Sequence, residues 1–223
     1  ISTWQGLNTI DGSNYVDAQR SQYVVPDKVI ASVGYYIPFR HKGLLRGTHL
    51  NLFYSGYSSG GYSFCYTNDM NGDGINNDLM YIPKDDSEIN FKTEEDRVAF
   101  WKFVEQDSYL KNHKGQYAEA YAARAPWVHR FDFRLLEDFE FQLSFDIMNV
   151  GNLINSKWGI SKTNTVSNSN RILKYEGVKS ATDLTPVFSM YKVNGEYPTK
   201  TYDTYQNYSE CWKLQVGIRY VFN

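Results

Sequence analysis

The sequence predicts an all-β fold whose strands form part of the wall of a transmembrane β-barrel. Three observations predict it. Five stretches alternate apolar and polar residues, the pattern of a strand with two unlike faces. Short links between them alternate with excursions of about 60–70 residues, as short turns alternate with long loops in outer-membrane barrels. The last alternating stretch, Leu214 to Phe222, runs to the end of the chain, where a barrel strand is expected to pair with the first strand.

Composition narrows the class. A formal charge of -2 over 223 residues offers no basic surface for nucleic acid and no strongly acidic tail. Mean hydropathy is -0.53. The longest uncharged apolar runs, such as Ile30 to Phe39, fall well short of the ~20 residues of a membrane helix. Barrel strands need only ~9–11 residues and turn half their side chains to a polar interior, so an average this polar still permits membrane spanning. Tyr, Phe and Trp make up 17% of the chain, which suits a protein with aromatic rims and also an aromatic-rich soluble β-sandwich or glycan-binding protein. The chain begins at Ile1 without a basic, apolar leader, the expectation for a processed or cut product.

Taken in order, residues 1–26 are polar and irregular, with a turn signal at Asp11-Gly12-Ser13-Asn14. Val29, Ala31, Val33, Tyr35, Ile37 and Phe39 form the apolar face of a first strand. Arg40-His41-Lys42-Gly43 is a charged turn, and Thr48, Leu50, Leu52 and Tyr54 share one face of the second strand. Residues 56–126 are a long excursion with one helix at about 94–113. Thr93 is its N-cap, with Glu94, Glu95 and Asp96 in the first turn and Gly115 as the stop. Its apolar stripe is expected at Val98, Trp101 and Val104, with Phe100 and Phe103 beside it. Trp127 to Leu135 and Phe139 to Ile147 are two more strands, linked by Leu136-Glu137-Asp138. Their polar faces carry Arg130, Asp132, Arg134, Glu140 and Asp146, and the last strand adds Arg219. In a barrel these face a watery lumen; in a soluble sandwich they face solvent. Residues 151–210 form a second excursion with a small hairpin at Asn194-Gly195. Long loops on the outer side send the final strand toward the periplasm. Five strands cannot close a barrel, so others must come from upstream in the same polypeptide or from a second chain.

The best local chemistry lies at residues 69–78. Asp69, Asn71, Asp73 and Asn77 stand at the oxygen-ligand spacings of a calcium loop, the Ile75 carbonyl serves the seventh position, and Gly74 permits the tight turn. Met80 occupies the twelfth position, where a bidentate Glu is usual, and Asp78 is the substitute carboxylate. The same residues also suit an Asx-rich turn without metal. A bound Ca²⁺ would order the loop at millimolar affinity. Cys65 and Cys211 are compatible with one disulfide at a common rim and with two free thiols. His41, His49, His113 and His129 share no metal-ligand spacing, and no nucleophile–base pattern appears, so an enzyme is not expected. Tyr62, Tyr66, Tyr81 and Trp101 suit the small core of a long loop, and also a ligand or a lipoprotein lid. Arg124, Trp127 and Arg130 fall at the upper rim.

Four segments carry a family resemblance: Asn71 to Pro83, Ala123 to Asp132, Phe145 to Asn155 and Gly217 to Asn223. With them, the chain resembles the C-terminal part of a TonB-dependent outer-membrane transporter of the Bacteroidetes, of the Oar-like type. The resemblance implies a 22-stranded barrel with a plug, of which residues 1–223 would be the C-terminal segment. It also implies energy-coupled import of a substrate and contact with the TonB complex through an N-terminal part not seen here. Implied partners are the remaining barrel and plug, outer-membrane lipid and a surface lipoprotein, with no nucleic acid. Tyr220 and Phe222 resemble the barrel-assembly signal, although Asn223 follows where other barrels end on the aromatic residue. A passive porin or a structural barrel subunit of a surface complex, and a soluble β-rich surface binding protein, are the alternatives.

Overall fold

The computed structural model describes residues 6–39, 45–166, 170–205, 207–220 and 222. The chain is mostly β-sheet with few helices. Its strands are β1 (Lys28–Pro38), β2 (Gly47–Ser58), β3 (Gly61–Tyr62), β4 (Cys65–Tyr66), β5 (Tyr81–Ile82), β6 (Asn90–Phe91), β7 (Gln116–Tyr117) and β8 (Ala123–Arg124). They continue with β9 (Trp127–Asp138), β10 (Phe141–Met148), β11 (Lys162–Asn164), β12 (Arg171–Val178), β13 (Pro186–Met190), β14 (Tyr202–Thr204) and β15 (Lys213–Tyr220). The helices are α1 (Glu94–Gln106), α2 (Ser108–Asn112) and α3 (Val150–Ile154). Among the described residues no helix is long and apolar enough to cross a membrane.

The chain divides into two compact units. One comprises Val25–Ser59, Pro126–Lys162 and Thr204–Asn223. Its centre is a five-stranded antiparallel sheet in the order β1-β2-β9-β10-β15, each strand beside its sequence neighbour among the five. All five predicted strands are present. Both long excursions leave from one end of the sheet, and the short links lie at the other. The link between β9 and β10 differs from the expected Leu136-Glu137-Asp138. These three residues stay in the ladder, paired with Ser144, Leu143 and Gln142, and the turn falls at Phe139-Glu140. The apolar/polar alternation inverts here, with Leu136 on the polar face and Glu137 on the apolar face, where Glu137 accepts a hydrogen bond from the Thr48 hydroxyl across the strand pair (2.7 Å). The charged turn at Arg40-His41-Lys42-Gly43 lies outside the described residues.

The other unit, Ile1–Val24, Gly60–Ala125 and Thr163–Asp203, draws on both excursions. It holds a four-stranded sheet, β4-β12-β13-β6, and the pairs β3-β8 and β5-β7. Phe64, Met80, Ile82, Phe100, Phe103, Val104, Leu110, Val166, Ile172 and Leu173 are fully buried in one core. The expected helix over 94–113 is two helices. Asp107 is extended (φ -95, ψ 121) and ends α1, while its Oδ1 accepts the N–H groups of Tyr109 and Leu110 and starts α2. The buried face of α1 is Asp96, Phe100, Phe103 and Val104, whereas Val98 is exposed and Trp101 only partly covered. Helical spacing allows either stripe; Phe100 and Phe103, without a polar atom, took the core side, and the Trp101 indole N–H reaches Asp86 outside it.

The Thr93 cap forms as predicted, with Oγ1 accepting the Asp96 N–H (3.1 Å). Asp96 does more than complete the cap. Its Oδ1 accepts the Met190 N–H (3.0 Å) and the Tyr197 hydroxyl (2.9 Å), tying α1 to β13 and the loop after it. The Asn194-Gly195 turn is also present, with both residues at positive φ between the bridged Val193 and Glu196.

Candidate functional site

The strand register sorts the five-stranded sheet into two faces. Antiparallel partners point to the same side, so rows can be read across all strands. Val33, Leu52, Phe133, Ile147 and Leu214 form one row, and Tyr35, Leu50, Leu135, Phe145 and Val216 form the next. On the reverse, Gly34, Asn51, Arg134, Asp146 and Gln215 form a row between them. One face is thus continuously apolar and the other polar over the same span.

Neither face is covered. Every apolar residue in the two rows is exposed or intermediate, including those on the central strands; Val33 is 69% exposed and Val216 58%. Val33, Tyr35, Leu52, Leu214 and Val216 are 39–69% exposed and the other five residues of the two rows are half-buried, and a contiguous exposed apolar patch marks a contact surface for protein, ligand or membrane. The length fits a bilayer: β2 has 12 residues, about 40 Å extended, and a tilt of about 40° brings that to ~30 Å.

Aromatic rings gather at both ends of the apolar face. At the end of the long excursions, the Tyr54 hydroxyl meets His129 Nδ1 at 2.8 Å, and His129 stacks on Trp127 with centroids 6.0 Å apart. Toward the other end, Phe139 stacks on Phe141, and Tyr220 meets Phe222 edge-on at 4.7 Å. Tyr220 and Phe222, the expected assembly signal, are 58% and 87% exposed.

The polar face is internally paired. Arg134 binds Asp146 across β9 and β10, and Arg130 lies 3.5 Å from Asp132. Asp132 also accepts the Asn149 N–H (2.6 Å), where Asn149 takes a left-handed conformation to start α3. His49 Nε2 and Asp138 Oδ2 are 2.9 Å apart, and Tyr36 stacks on the His49 ring (4.4 Å). Tyr36 lies so close over Gly47 that a Cβ there would fall 2.5 Å from its ring. A depression of about 500 Å³ opens on this face, lined by Asn51, Asp132, Arg134, Asp146 and Gln215 over the bare backbone of Gly34. The arrangement is a polar, hydrogen-bonded sheet face.

In the other unit, residues 69–78 fold back on their own backbone. The Asp69 carboxylate accepts the N–H groups of Gly72 (2.7 Å), Asp73 (3.2 Å) and Gly74 (2.7 Å). Asn71 Oδ1 accepts from Asp73, and Asp73 Oδ1 accepts from Ile75. Asp73 Oδ2 takes the N–H and hydroxyl of Ser13, which hold its carboxyl below the usual range. Asp78 is buried and accepts the N–H groups of Met70 and Asn71. Burial raises its pKa, and the nearby charges of Asp69 and Asp73 add to the rise. Asn77 Nδ2 donates to the Leu7 carbonyl (2.6 Å). Among the described residues no group of three or more His, Cys, Asp or Glu side chains is drawn together as a metal site. The donor set of carboxylate, amide and carbonyl oxygens is hard and suits Ca²⁺, but most of its side-chain oxygens already accept N–H bonds.

The remaining expected residues separate cleanly. Tyr62 and Tyr66 are core residues, 8% exposed each. Tyr62 donates to Asp107 (3.2 Å), and burial pushes the Tyr66 phenol up to about 12. Tyr81 donates to Glu88 (3.0 Å) and meets Tyr117 edge-on. Trp101 donates to Asp86 beneath the Lys114 ammonium. All four pack or brace the excursions. Cys65 and Cys211 are free, one in each unit. The Cys65 thiol is fully buried against Asn8 (3.1 Å), and burial pushes it up to about 12, which leaves it inert.

Sequence reasoning missed Asp107. This buried carboxylate holds Tyr109, Leu110, Tyr62 and Thr201 together, and its only sequence signal was an Asp inside a helical pattern. No protein-family model, curated protein or solved structure matches the chain.

Proposed function

We propose that the five-stranded sheet is a segment of an outer-membrane β-barrel wall, with the apolar face toward lipid and the polar face toward the lumen. The observation that carries this is the pair of unlike faces across the middle of all five strands, whose apolar rows stay exposed or half-buried. Further strands must pair the open edges of β1 and β15, because hydrocarbon offers no partner for their N–H and C=O groups. These strands belong to the rest of the same protein or to a second chain. The end from which the long excursions leave faces outward, which makes both excursions extracellular loops.

Within that wall the proposed activity is energy-coupled import through a plugged barrel of 22 strands, on the resemblance to TonB-dependent transporters. The polar depression around Arg134 and Asp146 would face the plug or a polar solute. The plug and TonB contact would come from other parts of the assembly, and a surface lipoprotein could dock on the excursion unit. A structural Ca²⁺ on Asp69, Asn71, Asp73 and the Ile75 carbonyl, with Asn77 and Asp78 beside it, belongs to the same proposal; the ion would displace some of the N–H bonds these oxygens now accept.

Single cysteines test the wall. Val33→Cys and Asn51→Cys, made in the full protein with both native cysteines replaced, are labelled in vesicles with an environment-sensitive probe. Lipid-soluble quenchers should reach the first and water-soluble quenchers the second. Equal water access to both would sink the proposal in favour of a soluble sheet covered by another protein surface.

A further inference from the structure

We propose that the upper end of the apolar sheet face carries a site for a membrane lipid with an anionic headgroup. The proposal rests on the assignment of that face to lipid. A groove of about 290 Å³ lies there. One side is Trp127, His129 and Phe131, alternate residues of β9 on the apolar face. The other is Trp158, from the turn that follows α3. Trp158 is 54% exposed, and Trp127 and Phe131 are 39% exposed each, so the rings line an open slot rather than close a core. The His129–Tyr54 bond and the stack on Trp127 hold the β9 side flat.

Charge selects the occupant. Lys157 and Lys162 are the charged side chains that line the groove besides the His129 ring, and no carboxylate does. The Lys162 ammonium donates to Thr204 Oγ1 (2.8 Å), which leaves further N–H donors for a ligand. Lys157 is exposed. Rings on the lipid-facing side and ammonium groups where the strands leave the hydrocarbon match an acyl chain ending in a phosphate. A soluble anion would leave the aromatic slot in water, and a neutral lipid would leave the lysines without a counter-charge.

The test uses the full-length protein in mild detergent, incubated with equal amounts of phosphatidylglycerol and phosphatidylcholine of the same acyl chains. Native mass spectrometry reads the adducts. Phosphatidylglycerol should be retained several-fold over phosphatidylcholine, and the double variant Lys157→Gln/Lys162→Gln should retain about tenfold less of it. Trp158→Ala should lower retention of both lipids. Undiminished phosphatidylglycerol on the double variant, no preference between the lipids, or displacement of the lipid by millimolar inorganic phosphate would each overturn the site. Alkaline carbonate extraction from vesicles separates the two levels. Protein that stays in the bilayer without lipid preference removes the lipid site alone; protein that is stripped off removes the wall as well.

Discussion

The two units solve the same problem in opposite ways. In the excursion unit, large apolar side chains such as Phe64, Phe100, Phe103 and Met80 are fully buried. Asp96 and Asp107 are buried there and bonded to backbone and side-chain donors. In the sheet unit, apolar side chains of the same size, Tyr35, Val216 and Ile218 among them, stay 58–74% exposed on one face. On the proposed reading, the sheet's apolar face is left for a different solvent, the lipid of a bilayer.

Substitutions can sharpen this contrast. The largest effect is expected in the excursion core. Phe103→Ala should cost about 3–5 kcal/mol through lost transfer energy and a cavity. Limited proteolysis should show the excursions opening while the sheet strands remain protected; cooperative loss of both would mean that the units do not fold separately.

Next is a charge on the apolar face. Val33→Arg should cost ~2–4 kcal/mol in a bilayer, whereas a surface position in water tolerates such a change within about 0.5 kcal/mol. Urea titration of vesicle-inserted protein, with Asn51→Arg on the polar face as the control, measures it. Equal, small effects at both positions would break the comparison.

Calcium gives a smaller effect confined to the excursion unit. With a millimolar dissociation constant, 10 mM Ca²⁺ should stabilise that unit by about 1.4 kcal/mol. The gain should vanish in Asp69→Ala and on chelation, read from the melting transition. A transition that ignores calcium would leave residues 69–78 as an Asx turn.

The smallest is a pH effect at Glu176. Lys174 (2.9 Å) and Ser189 (2.7 Å), with Lys92 (3.2 Å), hold its carboxyl down at about 2. A depressed folded-state pKa contributes stability that is complete above the unfolded value of ~4.3 and is lost as pH falls toward 2. Screening at this partly exposed site limits it to about 1 kcal/mol. Comparing Glu176→Gln with the parent protein at pH 6 and pH 3 checks the sign: the difference should shrink at the lower pH.

Much of the sheet was legible because period-2 alternation is a local property. Val29 to Ile37 and Phe141 to Ile147 state their faces without reference to any neighbour. The turn at Phe139-Glu140 was less legible, since Leu136 to Asp138 read as a polar link until pairing with β10 is known. In the excursions, residues 69–78 announced a tight Asx-rich loop, and the loop exists. Its partners also come from far earlier in the chain: Ser13 donates to Asp73, and the Leu7 carbonyl accepts from the Asn77 amide. Tyr62, Tyr66, Tyr81 and Trp101 carried no label for packing or for ligand, because an aromatic side chain serves both.

By itself the sequence determined where the five long sheet strands lie, which side chains share a face, and that Thr93 begins a helix. Each follows from periodicity or from a bond between near neighbours. Only the tertiary structure decided that two distant excursions share one core and that Asp96 and Asp107 are its polar anchors. Those outcomes rest on contacts between residues about 45 to 100 positions apart. The energy of such contacts depends on which surfaces meet, and no local pattern encodes that.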